Sequence, residues 1–393
     1  MKKLIWSLIS CSVALFISSC AGDGKIVFQN YDLSNVTDSI DFNLSEIVED
    51  LRAVPLETDS SFFLKGLKIL VSSKYIVTLN DDAIHLFDAG TGKHIRKLAV
   101  KGRGPNEYTY IYSGILDEAG NMFYLSQQMS RTILGIDLLT GEFRNLKSPV
   151  KTDVDLMFVS PEGNIYTNND SLMFAVLDTK TGKMSGMIDS LNIPEKKSPV
   201  NFPFPMWESI GGVSLASNYD DVFLYSKTYN DTVYRFVPPA GIRKEFSLTH
   251  REQFADDKGI FLAVPFVSDK YIFCRPCEIQ LMKEEGMIYG VQSKSKAVYV
   301  INRRNGESAV VRQFIADDLG GLEMPAMMTK YGGTCIGKQI FALAMNAYQV
   351  KDGIEKALEK KDLPDSRRKY LEELNGSLTE ESNPVIFIGT RKK

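Results

Sequence analysis

The residue types that could carry chemistry are few and poorly grouped. "CRPC", Cys274 to Cys277, has the spacing of a redox pair or of half a zinc site. Zinc takes four ligands, and His85, His94 and His250 show no ligand spacing with the cysteines or with one another. A thioredoxin-like role needs the pair at a helix start, which "YIFCRPCEIQL" does not offer. A local disulfide and two free thiols both stay open. Acidic pairs at Asp81-Asp82, Asp220-Asp221, Asp256-Asp257 and Asp317-Asp318 lack the spaced oxygen ligands of a calcium loop and read as turn residues. No GxSxG nucleophile is present. The expectation is therefore no metal and no cofactor.

"KGRGPNEY", Lys101 to Tyr108, looks like the start of a phosphate loop. Such a loop runs from a strand into a helix, whose N-terminus receives the phosphate. Here it is followed by "YTYIYSGIL", a β-branched and aromatic run that reads as a strand. Its glycines and Pro105 therefore serve a crossover between two β units.

Those units repeat. "IHLFDAGTGKHIRKL", "ILGIDLLTGEFRNL", "FAVLDTKTGKMSGMI", "VYRFVPPAGIRKEFSL" and "VYVINRRNGESAVV" each join two alternating strands through a turn ending in Gly. Gly92, Gly141, Gly182, Gly241 and Gly306 fit a position needing φ > 0. "DEAGN" and "SPEGN" mark a second turn upstream, so each unit has four strands; in the second they fall near 111–117, 121–126, 132–137 and 142–146. Units of about 40 residues with four short strands are the pattern of β-propeller blades. The terminal "NPVIFIGTRKK" offers the third strand of a sixth unit that lacks a fourth. "EDLRAVPLET", Glu49 to Thr58, has no hairpin partner and is expected to supply it, closing the ring and removing an open edge. The fold expected is thus all-β: a six-bladed β-propeller over 49–393, closed by an N-terminal strand, with a helical insertion at about 350–382.

That insertion reads as two short helices, with Leu363-Pro364 at the break, Asp365 as N-cap and Asn375-Gly376 at the end. Ile354, Ala357 and Leu358, then Tyr370, Leu371 and Leu374, give each helix one docking stripe. Its many charges read as a solvated face.

At the other end, Lys2 and Lys3 precede an apolar run from Leu4 to Phe16 and then "ISSC". The run is too short to cross a bilayer, which takes roughly 20 apolar residues, and has the layout of an export signal. "ISSC" is similar to a lipobox, which would leave Cys20 as the lipidated N-terminus of an envelope protein and residues 21–48 as tether and lead-in. Net charge is −3 with dispersed Lys and Arg, so nucleic-acid binding, which needs concentrated positive charge, is not expected. Cys274, Cys277 and Cys335 remain besides Cys20, an odd count that argues against a disulfide-built fold.

"GRGPNEY" followed by "DEAGNMFYL", "SRTILGID" and "TGEF" resembles an NHL-type propeller repeat. With the lipobox, "SEIVEDLRAVPLET" and the late charged helix before "NPVIFI", the mature chain resembles the six-bladed β-propeller lipoproteins of Bacteroides-type bacteria, a family without established activity. That family more usually has Gly where Asn106 stands. The resemblance implies a fold and an address, and brings no catalytic residues.

Loop lengths point to a working face. The turns from first to second and from third to fourth strand of each unit are short throughout, while long insertions fall at 99–108, 189–206, 249–270, 315–328 and 350–382, all on the opposite side of such a fold. Insertions gathered on one face of a repeat protein mark its binding face. Candidate binding residues there are Lys101, Arg103, Asn106, Glu107, Tyr108, Trp207, His250 and Arg251. Phe202 and Phe204 join Trp207 in "NFPFPMWES", either as a stacking surface or as a plug between blades. Glu107 is expected to hold a neighbouring blade's backbone or to pair with Arg103. The function expected is a monomeric, membrane-anchored binding protein for a glycan, a peptide or an envelope protein. A glycan hydrolase or lyase on the same fold is the alternative.

Overall fold

The computed structural model of the chain describes residues 29–64, 68–79, 82–104, 106–127, 132–147, 155–160, 162–168, 175–186, 214–219, 222–226, 232–237, 241–250, 258–284, 287–295, 298–325, 334–336 and 339–392. Within them the structure is mostly β, with two helices and six separate sheets. No described helix is long and apolar enough to cross a membrane.

Three strands precede the first hairpin: β1 (Gln29–Asp32), β2 (Ser39–Asn43) and β3 (Val48–Pro55). The first sheet then orders β4 (Ile69–Val71), β5 (Tyr75–Leu79), β6 (Ala83–Asp88) and β7 (His94–Lys101), with β8 (Glu107–Tyr108) parallel to the end of β7. The second holds β9 (Ile111–Asp117), β10 (Met122–Gln127), β11 (Thr132–Asp137) and β12 (Phe143–Lys147), within a residue of the strands expected. The third holds β13 (Asp155–Val159), β14 (Ile165–Asn168), β15 (Ala175–Leu177) and β16 (Met184–Gly186), and the fourth β17 (Ser214–Tyr219), β18 (Val222–Ser226), β19 (Thr232–Val237) and β20 (Gly241–Thr249).

The fifth sheet departs from the four-strand plan. Its β21 (Lys258–Val267) and β22 (Tyr271–Glu284) run long, and β23 (Met287–Ser295) folds back on the far half of β22. β24 (Val298–Asn302) pairs with the near half of β22, β25 (Ser308–Ala316) pairs with β24, and β26 (Leu322–Pro325) pairs with the end of β25. The sixth holds β27 (Thr334–Ile336), β28 (Ile340–Met345) and β29 (Val385–Arg391).

One side chain builds the repeated turn. Asp88 Oδ1 accepts from the amides of Gly90 and Thr91, Asp137 Oδ1 from Leu139 and Thr140, and Asp178 Oδ1 from Lys180 and Thr181. Asn302 Oδ1 plays the same part for Arg304. These are Asx turns, in which a short side chain replaces a backbone acceptor. Each is completed by a glycine amide donating 2.8 Å to the Asx carbonyl, from Gly92, Gly141, Gly182 and Gly306, all with φ between 68° and 79°. Gly241 differs: it opens β20 opposite Val237, and the turn before it lies outside the described residues.

The N-terminal strands join three sheets in succession. β1 lies parallel to β20 and β2 parallel to β25, each as an added outer strand; β3 lies antiparallel to β29 as the fourth strand of the sixth sheet. The stretch expected as tether and lead-in thus contains two strands. Tyr31 and Leu33 pack with Phe246 and Ile272; Phe42, Leu44, Ile47 and Val48 with Phe273, Phe314 and Phe387; Val54 and Leu56 with Ile76, Phe87 and Ile386. Each large apolar side chain buried this way stabilises by about 1.5–3 kcal/mol, so the segment binds three cores that would otherwise end in open edges.

The insertion between β28 and β29 is two helices, α1 (Ala347–Leu358) and α2 (Asp365–Gly376). Asp365, expected as N-cap, is instead the first helical residue, with Pro364 at the cap; proline's fixed extended turn sets the entry in place of a side-chain cap. Val350, Ile354, Ala357, Leu371 and Leu374 are buried against Leu319, Leu322 and Met324, with Leu358 and Tyr370 half-buried beside them. Arg368 donates to the carbonyls of Leu358 and Lys360, closing the C-terminal end of α1.

Strand geometry closes the question of "CRPC". Cys274 pairs opposite Tyr299 and Cys277 opposite Phe261 along one continuous strand. Three residues of strand span about 10 Å, beyond the roughly 7 Å that a disulfide bridges between Cα atoms. Cys274 is a free thiol, wholly buried, and burial pushes its pKa up and keeps it protonated.

Candidate functional site

β7 ends at Lys101, and β8 returns beside it with Val100 opposite Glu107 and Lys101 opposite Tyr108. The intervening loop is held by its own groups. Gly102 N–H donates to the Tyr108 carbonyl at 2.9 Å, Glu107 N–H to the Gly104 carbonyl at 3.3 Å, and Gly104 N–H to Glu107 Oε2 at 2.6 Å. A Cβ on Gly102 would stand 1.9 Å from that carboxylate oxygen, so any other residue there has to displace the Glu107 side chain from its hydrogen bond. Asn106 has φ 65°, a conformation that glycine adopts freely and Asn tolerates. This accounts for Gly at the matching position of the resembled family.

The candidates in this loop divide by role. Glu107 is turned onto the Gly104 amide of its own loop, in place of the neighbouring blade's backbone expected for it, and Tyr108 is 1% exposed, packed with Leu98, Phe123 and Leu125. Lys101, Arg103 and Asn106 face outward. Their neighbours include two residues missed in reading the sequence, Tyr110 and Tyr112, which are 62% and 39% exposed. The Lys101 ammonium sits 4.8 Å from the centre of the Tyr110 ring, a cation–π contact. Within "YTYIY" an aromatic residue is the natural strand former, so exposure could not be told from core.

The loop is anchored on both sides. Lys101 N–H donates to the Asp82 carbonyl at 3.0 Å, and Thr109 N–H to Gln127 Oε1 at 2.8 Å. β9, which starts just beyond Tyr110, is the end strand of its sheet and touches the corresponding end strands β4 and β13 of its neighbours. The tyrosines therefore stand where first strands of successive sheets converge.

The remaining candidates lie elsewhere. His250 follows β20 in the fourth sheet and is half-buried. Cys20, Trp207 and Arg251, with Phe202 and Phe204, lie outside the described residues.

His85 and His94, nine positions apart, are brought together by the β6–β7 hairpin. Their Nδ1 and Nε2 atoms are 3.1 Å apart, and the Phe62 ring centre lies 4.4 Å from that of His94. Burial first, then the neighbouring His94 and Lys97, lower the His85 pKa to about 4. Burial also lowers that of His94, against the pull of Glu57. Both rings are neutral at pH 7 and hydrogen-bonded to one another. Among the described residues no group of three or more His, Cys, Asp or Glu side chains is placed to hold a metal.

The family model described as "Domain of unknown function (DUF4934)" matches residues 28–390. The chain belongs to the DUF4934 family. No curated protein matches it. Among solved structures, this DUF4934 member is similar to a Bacteroides fragilis protein provisionally named as exported, at 16% identity and TM-score 0.56, over 93% of this chain and all of that one. It is also similar to a DUF4221 family member from Bacteroides vulgatus (13% identity, TM-score 0.47, 87% and 96% covered) and to the WD40 repeats of RRP9 (11%, 0.44, 87% and 98%). At these identities the likeness is one of fold; the successive antiparallel sheets of this chain, touching through their first strands, are β-propeller-like.

Proposed function

We propose that this DUF4934 protein is an envelope-anchored binding propeller that takes up its ligand or partner through the crossover-loop face. In this reading the six sheets are six blades of one ring, completed where β3 lies beside β29. The contacts that support a ring run between first strands, from β27 to β4, β9 and β13, and from β17 to β21. Residues 1–20 would direct export and Cys20 would carry the lipid, leaving a monomeric domain outside the bilayer. A glycan, a peptide or an envelope protein is the ligand class.

The observation that carries the binding role is the Lys101–Tyr110 contact on a loop held rigid by internal hydrogen bonds. Exposed tyrosine on a fixed backbone loses little entropy when it binds. The test is a thermal-shift screen of the full chain in detergent against glycans and peptides. A ligand at 100 times its dissociation constant adds about 2.7 kcal/mol, and the shift should vanish in Tyr110→Ala. Shifts that persist in that variant would place binding elsewhere.

A further inference from the structure

We infer that the Lys101–Tyr112 surface recognises an acidic oligosaccharide, a chain of sugar rings bearing carboxylates; this rests on the binding role proposed above. Along the loop from Lys101 to Thr109 most backbone donors are already engaged. The amides of Lys101, Gly102, Gly104, Glu107 and Thr109 all donate within the protein, so an extended peptide finds no row of free donors to add to. Recognition falls to side chains.

Those side chains are of two kinds. Tyr110 directly precedes β9 and Tyr112 stands at the register irregularity near its start, so two exposed tyrosines lie two positions apart beside the loop. They present flat, amphipathic rings, suited to the apolar faces of sugars. Lys101 and Arg103 are exposed cations with no carboxylate partner among the described residues, and the loop's own acid, Glu107, is turned onto Gly104 N–H. Residues 101–112 carry two cations and one acid in a chain of net charge −3, and with Glu107 turned inward the outward cations favour a ligand with negative charge beside its rings. Guanidinium and ammonium together suit carboxylates in differing geometries.

The experiment is calorimetric titration of the full chain with tetragalacturonic acid, with its methyl ester, which keeps the rings without the charge, and with polyglutamate, which keeps the charge without the rings. Binding of the acid alone is expected. It should weaken by roughly tenfold or more in Tyr110→Ala and in Lys101→Met, with unchanged melting temperatures, and should weaken with added salt. Equal binding of the ester overturns the charge requirement and leaves the propeller's binding role standing. Equal binding of polyglutamate overturns the sugar requirement. Binding of the acid that survives both substitutions overturns the site. No binding of any of the three overturns the inference, while a Tyr110-dependent shift in the wider screen would still uphold the binding role.

Discussion

Arg303, in the turn between β24 and β25, reaches out of its own sheet to place Nη2 3.1 Å from Glu245 Oε1 on β20 of the sheet before it. Glu245 also holds Arg235 through two bonds of 3.0 Å, and its side chain has no exposed surface. Arg303 further donates to the Ser268 carbonyl. Removing one member of such a buried group leaves the others charged and unmatched, at a cost of about 3–5 kcal/mol. Glu245→Gln should therefore lower the urea midpoint sharply; a change under about 1 kcal/mol would mean that the guanidiniums find water instead.

Two glycines of the same turn type should respond differently to alanine. At Gly182 a Cβ meets nothing within 4 Å among the described residues, so Gly182→Ala costs only the left-handed backbone, about 1–2 kcal/mol. At Gly92 it would stand 2.0 Å from the Pro55 carbonyl oxygen, at the end of β3. Gly92→Ala should cost clearly more and also expose the Glu57 amide, which donates to the Gly92 carbonyl at 2.8 Å. Equal destabilisation in paired denaturation curves would show that β3 yields.

Acidification should weaken the fold through the histidine pair. The folded pKa of His85, about 4, lies below its ordinary 6.5, so between these values the unfolded chain binds the extra proton. Stability is full above pH 6.5 and falls as the pH drops towards 4, by at most about 3 kcal/mol. His94 is shifted the same way. The turn aspartates Asp88, Asp137 and Asp178 are held below their usual range by bonds from Thr91, Thr140 and Thr181, so they act only at lower pH. Melting temperature should therefore slope between pH 5 and 6.5 in the native protein and flatten in His85→Gln; an unchanged slope would discharge the pair.

The N-terminal segment should matter as much as any hairpin. Phe42, on β2, stacks edge-on against Tyr271, Phe273 and Phe314, and Phe42→Ala should cost about 3–5 kcal/mol. Leu139, 57% exposed in a turn, should tolerate Ala within about 0.5 kcal/mol. Similar losses at both would argue that β1 and β2 are only loosely held.

Much of this architecture is legible in the chain because the Asx turn is local: "FDAGTGK", "IDLLTGE" and "LDTKTGK" state their own geometry within seven residues. The pairing of β3 with β29 follows from arithmetic, a hairpin short of one strand. β1 and β2 are not legible, since "QNYD" and "SIDFN" add in parallel to distant strands and no turn links them to their partners. The site divides likewise. Asn106 and Glu107 belong to a loop whose glycines announce it, whereas the exposure of Tyr110 and the meeting of His85 with His94 depend on packing that no local pattern records.

The partnership of β3 with β29 also sets an order of events. β3 must wait for β29, so the sixth sheet is not complete until Val385–Arg391 has emerged. β1 and β2 likewise need β20 and β25. Contacts of such sequence separation slow folding, because loop closure is met before the contacts repay it. A chain cut short before Val385 would keep an unfilled place for β3 and an open strand edge prone to pairing with other chains. Synthesis past Arg391 is thus read out by the fold itself: until β29 is made, β3 has no cover.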